Sequence, residues 1–98
     1  MTRRWAAKVD VNQSRMVEDL RYMGFSVLLL HRVGSGCPDL LVAGYHHRYN
    51  DFANVLVEVK QAAKSRLTPQ EIEFRDTWKG PRLTAVDATE VQSWFEGV

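Results

Sequence analysis

The amino-acid sequence predicts a small, mixed α/β domain in which helices and strands follow the order α-β-β-β-α-β-α. Three observations predict this fold class: apolar residues recur at helical spacing in three segments, runs rich in β-branched residues lie between them, and glycine, proline or helix-capping residues separate the elements. The 98 residues, 45% hydrophobic and 26% charged, suit one globular domain. We expect it to span residues 10–98 and to follow a short basic arm, residues 1–9.

The first helix is predicted over residues 11–23. Asp10 and Gln13 are spaced as a capping box, and Gly24 ends the helical pattern. The apolar residues at helical spacing between them are Met16, Val17, Leu20 and Met23. Residues 25–33 are rich in β-forming and apolar side chains and predict the first strand, which ends at a turn of glycine, serine and proline residues.

An antiparallel hairpin is predicted next. Residues 39–44 and 54–60 have the composition of two strands, and a polar loop over residues 45–52 joins them. His46 and His47 fall in this loop, so we expect both side chains to be solvated.

Capping signals mark the remaining helices. Thr68, Pro69 and Glu71 combine an N-cap threonine, a proline at the first helical position and a capping-box glutamate. They predict a second helix that ends near residues 80–81. Residues 83–86 then predict a short fourth strand.

The third helix follows residues 87–90, which repeat the capping signal. Trp94 and Phe95 belong to its apolar face, and Trp78 belongs to the apolar face of the second helix. We expect all three aromatic side chains to lie in the core rather than to stack on nucleotide bases.

Charge and apolar content exclude two classes of function. The formal net charge of +1 argues against a protein that holds nucleic acid by bulk positive charge, so any grip on a nucleic acid must be local. The longest apolar run, residues 27–30, is far too short to span a bilayer, and residues 1–5 lack the apolar stretch of a secretory signal. A single cysteine, Cys37, suits a reducing compartment. We therefore expect a cytoplasmic protein with no membrane partner.

The chemistry-bearing residues lie on the hairpin strands. Side chains alternate along a strand, so Glu58 and Lys60 point to one face and the valines between them to the other. The alternative is a solvated outer face with a weak surface ion pair. A hairpin centred near the middle of the polar loop would place Asp39 close to opposite Lys60, although Asp39 could instead cap the turn that precedes it.

Two carboxylates and an ammonium would then converge at one end of the sheet. Neighbouring carboxylates repel each other unless a cation lies between them, which predicts a site for Mg²⁺ or Mn²⁺. Such an ion activates water and offsets charge on a phosphoryl oxygen, as phosphodiester hydrolysis requires. Lys60 would orient the attacking water or stabilise the charge that builds on the phosphate.

These residues resemble a known signature. Pro38 and Asp39, followed by Glu58, Val59 and Lys60, are similar to the PD-(D/E)XK nuclease motif. The resemblance extends to the short phage-type VRR-NUC proteins through the segments 12–13, 31–42 and 67–71. It implies a restriction-endonuclease-like core, a mixed sheet flanked by helices, and a standalone nuclease of the phage or bacterial cytosol that is similar to Holliday junction resolvases.

The resemblance also implies roles for individual residues. Asp39 and Glu58 would bind Mg²⁺ or Mn²⁺ with the backbone carbonyl of Val59, and Lys60 would lie at the scissile phosphate. Gln13 stands where the resolvases carry a metal-linked glutamate, and its neutral amide would bind a metal-held water more weakly.

Two further glutamates are candidates for the same site. Glu18 lies about 140° round the helix from Gln13, so the two should not serve one site. Glu71 is either a helper at the site or only a capping residue.

Basic and flexible residues around this set are candidate contacts for a phosphate backbone. Taken singly, each of these residues is also typical of a solvated surface position. Residues 34–36 are also typical of an ordinary turn. The candidates are Ser35, Lys64, Arg66, Arg3 and Arg4.

These observations predict a metal-dependent endodeoxyribonuclease that acts on branched DNA. A domain this small would meet a two-fold symmetric junction as a C₂ homodimer. One alternative is a non-catalytic nucleic-acid-binding module that keeps the nuclease fold, which the neutral Gln13 motivates. Another is a hydrolase that uses Cys37 with one of the three histidines.

Overall fold

Within the described residues, seven elements follow one another in the predicted order. The computed structural model describes residues 11–62 and 66–97, so the basic arm and the Asp10 capping prediction lie outside the described residues. The elements are α1 (Val11–Tyr22), β1 (Ser26–Leu29), β2 (Leu40–His46), β3 (Asp51–Val59), α2 (Pro69–Thr77), β4 (Arg82–Ala85) and α3 (Ala88–Glu96). The predicted mixed α/β class is confirmed. None of the helices in these two ranges has the length and apolar character needed to cross a bilayer.

The strands form one mixed sheet in the order β1-β2-β3-β4. β1 pairs with β2 and β2 with β3 in antiparallel orientation, whereas β3 and β4 are parallel. A parallel pair needs a crossover connection, and the segment that contains α2 provides it.

The hydrophobic core lies between one face of the sheet and the helices α1 and α3. The β3 residues of this face are Val55, Val57 and Val59, which confirms the predicted alternation. Their partners on α1 and α3 include Met16, Leu20, Val91 and Phe95.

The hairpin differs from its prediction in length and register. β2 and β3 extend to His46 and Asp51, which leaves a turn over residues 47–50 instead of a loop over 45–52. Leu40 pairs with Val57, so one further step of the ladder places Asp39 level with Glu58. The turn over residues 47–50 has the same centre as the predicted loop, and pairing about that centre sets Asp39 level with Glu58. The prediction that Asp39 lies close to opposite Lys60 is therefore off by two residues along β3.

His46 is not solvated as predicted. It ends β2, is only 3% exposed, and stacks on the ring of Tyr49 at 3.9 Å between ring centroids. The ring of Trp94 packs against it edge-on at 4.5 Å. Its Nδ1 accepts a hydrogen bond from the Tyr49 backbone N–H.

β1 ends at Leu29, earlier than the predicted end at residue 33, because the chain turns before it enters β2. Gly34, Ser35 and Gly36 all have positive φ in this turn, and the Cys37 N–H donates to the Gly34 carbonyl. The turn delivers Pro38 to the start of β2 in a buried position.

The capping predictions for α2 and α3 are confirmed. The Glu71 N–H donates to Thr68 Oγ1 at 3.2 Å, and the Thr68 N–H donates to Glu71 Oε1 at 2.8 Å. Asp87 caps α3 through the Glu90 N–H at 3.0 Å. α2 ends at Thr77, short of residues 80–81, because the next residue has extended backbone.

Candidate active site

Asp39 lies where β2 begins and is held from both sides. Its backbone carbonyl accepts the Leu30 N–H at 2.7 Å on the β1 side. On the β3 side, its Oδ2 accepts the Val59 N–H at 2.8 Å. The side chain therefore bonds across to β3, and its carboxylate is fixed at the end of the hairpin ladder.

Pro38 leaves the Val59 carbonyl without a ladder donor. The register of β2 and β3 places Pro38 level with Val59, and proline has no N–H to donate. The N–H groups of Leu56 and Lys60 point to β4, so the N–H and carbonyl of Val59 point to β2. That carbonyl thus faces the edge of β3 where Asp39 lies, which suits it as an oxygen ligand.

Glu58 is buried next to these groups. It is 3% exposed, so the alternative of a solvated outer face is wrong. Burial, reinforced by the charges of Asp39 and Glu71, raises the pKa of Glu58 to about 9. Its Oε1 atom is buried and has no hydrogen-bond partner among the described residues.

Lys60 joins Glu58 on the same face of β3. Its Nζ lies 3.9 Å from Glu58 Oε2 and 3.1 Å from Glu71 Oε1. It also donates to the Arg66 carbonyl at 3.2 Å. The ammonium is therefore held beside the carboxylates.

Glu71 forms the predicted cap and also contacts Lys60. The same atom, Oε1, accepts the Thr68 N–H in the capping box and the Lys60 ammonium. Burial alone would raise the pKa of Glu71, but the Thr68 N–H and the Lys60 ammonium outweigh it and hold that pKa below its usual value. Glu71 therefore stays ionised and ties the start of α2 to Lys60.

Gln13 is 4% exposed and lies on the buried side of α1 with Met16, Val17 and Leu20. Its suggested contribution to a metal-held water stays a prediction. The neighbouring Asn12 makes two long-range hydrogen bonds: its Nδ2 donates to the Lys60 carbonyl at 2.7 Å and to the Val86 carbonyl at 2.8 Å. It joins α1 to the ends of β3 and β4, which no local sequence pattern indicates.

The predicted phosphate contacts divide into two groups. Ser35 and Arg66 are exposed, and Arg66 meets the site through its backbone carbonyl. Lys64, Arg3 and Arg4 lie outside the described residues.

Arg82 is a site neighbour that the sequence reasoning missed. It pairs with Leu56 across the parallel strands, and its Nη1 donates to Thr84 Oγ1 at 3.1 Å. Its Nε is buried and has no hydrogen-bond partner within the described part of the chain. Burial lowers the pKa of Arg82, and the charge of Glu58 opposes that shift. Alternation in residues 82–85 would have placed Arg82 on the Glu58 face had the parallel pairing been known.

Cys37 lies beside the carboxylates but is poorly suited to nucleophilic catalysis. Burial raises the pKa of its thiol, and the charges of Glu58 and Asp39 raise it further. The thiolate is therefore disfavoured. His46 packs among aromatic rings at the opposite end of β2, so it cannot act as the general base for this thiol.

The oxygen donors at this site suit a hard divalent cation. No group of three or more His, Cys, Asp and Glu side chains within residues 11–62 and 66–97 is arranged to hold a metal ion. The set implied by the resemblance is smaller: two carboxylates and the Val59 carbonyl. It fits a cation because Glu58 Oε1 lacks a donor and its charge is disfavoured beside Asp39.

Comparison of the chain with protein-family models, with curated proteins and with solved structures found no match.

Proposed function

We propose that this protein is a Mg²⁺- or Mn²⁺-dependent endodeoxyribonuclease. Asp39, Glu58 and the Val59 carbonyl would hold the metal, and Lys60 would contact the scissile phosphate. One observation carries the proposal: the buried Glu58 carboxyl, with its pKa raised to about 9, lies beside Asp39 and on the same strand face as Lys60. The resemblance to VRR-NUC and other PD-(D/E)XK nucleases supports the same assignment.

The chain's own residues supply the geometry of the reaction. A bound divalent cation would acidify a water molecule and polarise the phosphate. The Val59 N–H orients the Asp39 carboxylate by donating a hydrogen bond to it. The Lys60 ammonium is oriented by the hydrogen bonds that it donates to Glu71 and to the Arg66 carbonyl. An ammonium fixed in this way stabilises charge that develops on a phosphate oxygen without reorganising first.

The proposed substrate is branched DNA, with four-way junctions as the leading case. A two-fold symmetric junction suits a C₂ homodimer that presents two such sites. Phosphate contacts do not encode sequence, so cleavage is expected to depend on DNA structure. The proposed location is the cytoplasm.

The test is cleavage of labelled four-way junction, flap and linear duplex DNA in Mg²⁺, Mn²⁺ or EDTA. We expect metal-dependent cleavage that falls by at least about 100-fold in Asp39→Ala and Lys60→Ala. Asp19→Ala and Arg15→Ala remove exposed charges of the same signs from α1, on the opposite side of the sheet, and should retain wild-type rates. Cleavage in EDTA, or full activity of Asp39→Ala, would contradict the proposal.

A non-catalytic nucleic-acid-binding module is the second candidate function. Gln13 favours it, because a neutral amide stands where the resolvases carry a glutamate and is buried in α1. Metal-dependent binding of branched DNA without cleavage under any of these conditions would support this candidate over the nuclease.

A further inference from the structure

An apolar groove of about 660 Å³ runs along the sheet face opposite α1 and α3. Six of its lining residues are Leu30, Val33, Leu41, Leu56, Phe74 and Trp78. Val33 is 62% exposed and Trp78 50%, so the groove is open to solvent. Its volume lies within the range of about 300–1,000 Å³ that is usual for small-ligand sites.

The groove continues into the candidate active site. Leu41 and Leu56 stand two residues from Asp39 and Glu58 along their strands, which is a distance of about 7 Å on one face. Cys37 also lines the groove, and it lies close enough to Glu58 and Asp39 for their charges, together with burial, to raise the pKa of its thiol. A ligand with one charged and one apolar end would therefore span both regions.

One wall of the groove is a fixed aromatic surface. Trp78 stacks on Phe74, with ring centroids 5.1 Å apart and an interplanar angle of 16°. Its indole also lies against Gly80, where an added Cβ would be 3.0 Å from Trp78 Nε1. The prediction that Trp78 lies in the core is wrong, because α2 ends before it and leaves the ring half-exposed.

Polar groups stand among the apolar lining. Asn54 and Ser35 both line the groove and carry hydrogen-bonding side chains. Ser35 has φ of +56°, a conformation that costs free energy in a non-glycine residue and that clusters at functional sites. At the next residue, Gly36, an added Cβ would lie 2.3 Å from the Gln70 carbonyl oxygen, so the turn packs directly on the start of α2.

We propose that this groove receives one unstacked nucleobase of the DNA strand whose phosphate lies at Asp39, Glu58 and Lys60. The inference rests on the proposed nuclease function and adds a base subsite to it. Bases stack on aromatic side chains, and their edges bond to amides and hydroxyls, which matches Trp78, Asn54 and Ser35. Unstacking is least costly for an unpaired base, so the subsite favours DNA with an unpaired nucleotide at the branch.

The test uses flap DNA and four-way junctions with one added unpaired nucleotide at the branch, each carrying 2-aminopurine at one unpaired position at a time, in Ca²⁺ and in EDTA. We expect binding to change the fluorescence at one position beside the branch. Trp78→Ala should abolish that change and weaken binding about tenfold or more, whereas Trp78→Phe should retain most of both. Phe52→Ala is the matched control, because Phe52 is an aromatic residue that is 78% exposed and lies near the start of β3, at the end of the strand away from Glu58.

An abasic nucleotide at the same position gives a second measurement. Wild type should bind the abasic DNA about as weakly as Trp78→Ala binds intact DNA, and Trp78→Ala should bind both DNAs equally. Additive losses, or no Trp78-dependent fluorescence at any position, would overturn the base subsite. A Trp78→Ala protein that loses only its oligomeric mass would also overturn it and would assign the groove to a second copy of the chain.

Cleavage in Mg²⁺, measured in parallel, separates this inference from the proposed function. Base capture that depends on Trp78 without cleavage of any DNA supports the subsite and overturns the nuclease. Cleavage without such capture does the reverse. Failure to bind DNA at all overturns both.

Discussion

The two faces of the sheet are built differently, although the same strands form both. On the α1 and α3 side, Val55, Val57 and Val59 are buried in a continuous apolar core. On the other side, α2 has no buried residue, and its described attachments include the Glu71 contact with Lys60 and the packing of Gly36 on Gln70. The first face supplies the apolar burial that stabilises the fold, while the second holds the charged cluster and, beside it, a groove that is open to solvent.

This contrast between the two faces explains where the fold tolerates buried polar groups. Glu58 and Lys60 lie on the α2 face, and their strand neighbours Val57 and Val59 lie on the core face. A carboxyl that is buried without a full set of donors destabilises a fold. In this protein, the apolar burial on the α1 and α3 face of the sheet offsets that destabilisation.

Removal of the Phe95 side chain should give the largest loss of stability. Phe95 is 1% exposed and packs on Phe25 with ring centroids 4.7 Å apart, so Phe95→Ala should lower the free energy of unfolding by about 3–5 kcal/mol. Leu28→Ala, on the exposed face of β1, should cost less than about 1 kcal/mol. Urea denaturation measures both. Equal losses would show that the two faces do not differ as described.

Glu58→Gln should change how stability depends on pH. The ordinary pKa of a glutamate is 4.5, and that of Glu58 in the folded protein is about 9. The stability that protonated Glu58 provides is thus complete below pH 4.5 and is lost progressively as the pH rises from 4.5 through 9. In EDTA, the wild type should lose about 2–4 kcal/mol more than Glu58→Gln between pH 5 and pH 8.

Thermal unfolding at the two pH values provides the measurement, with Glu73→Gln as an exposed control. Mg²⁺ should stabilise the wild type at pH 8 and should stabilise Glu58→Gln much less, because a bound cation favours the ionised carboxylate. Parallel pH profiles for wild type and Glu58→Gln would count against a buried, protonated Glu58.

A pair of glycines gives the smallest and most local test. Gly34 and Gly36 have φ of +76° and +78°, so alanine is strained at either position. An added Cβ meets nothing within 4 Å at Gly34 but lies 2.3 Å from the Gln70 oxygen at Gly36. Gly34→Ala should cost about 1 kcal/mol, and Gly36→Ala should cost more and also speed amide hydrogen exchange in α2. Similar exchange in both variants would mean that the turn does not hold α2.

Local patterns predicted much of this molecule because they depend on neighbours in sequence. The capping box at Thr68, the N-cap at Asp87 and the alternation around Glu58 are confirmed for that reason. His46 and Trp78 were misplaced, since each stands at the end of an element whose length was misjudged. Asn12 and Arg82 were missed because their site contacts are long-range.

The order of the elements, the capped starts of α2 and α3, and the shared face of Glu58 and Lys60 could all be predicted from the amino-acid sequence. The level position of Asp39 and Glu58, the contact of Glu71 with Lys60 and the groove beside them became visible only in the folded chain. The two sets differ in the sequence separation of the residues involved. Caps and strand alternation follow from backbone geometry over a few residues, whereas register, burial and the resulting pKa of Glu58 depend on segments that meet only in the folded chain.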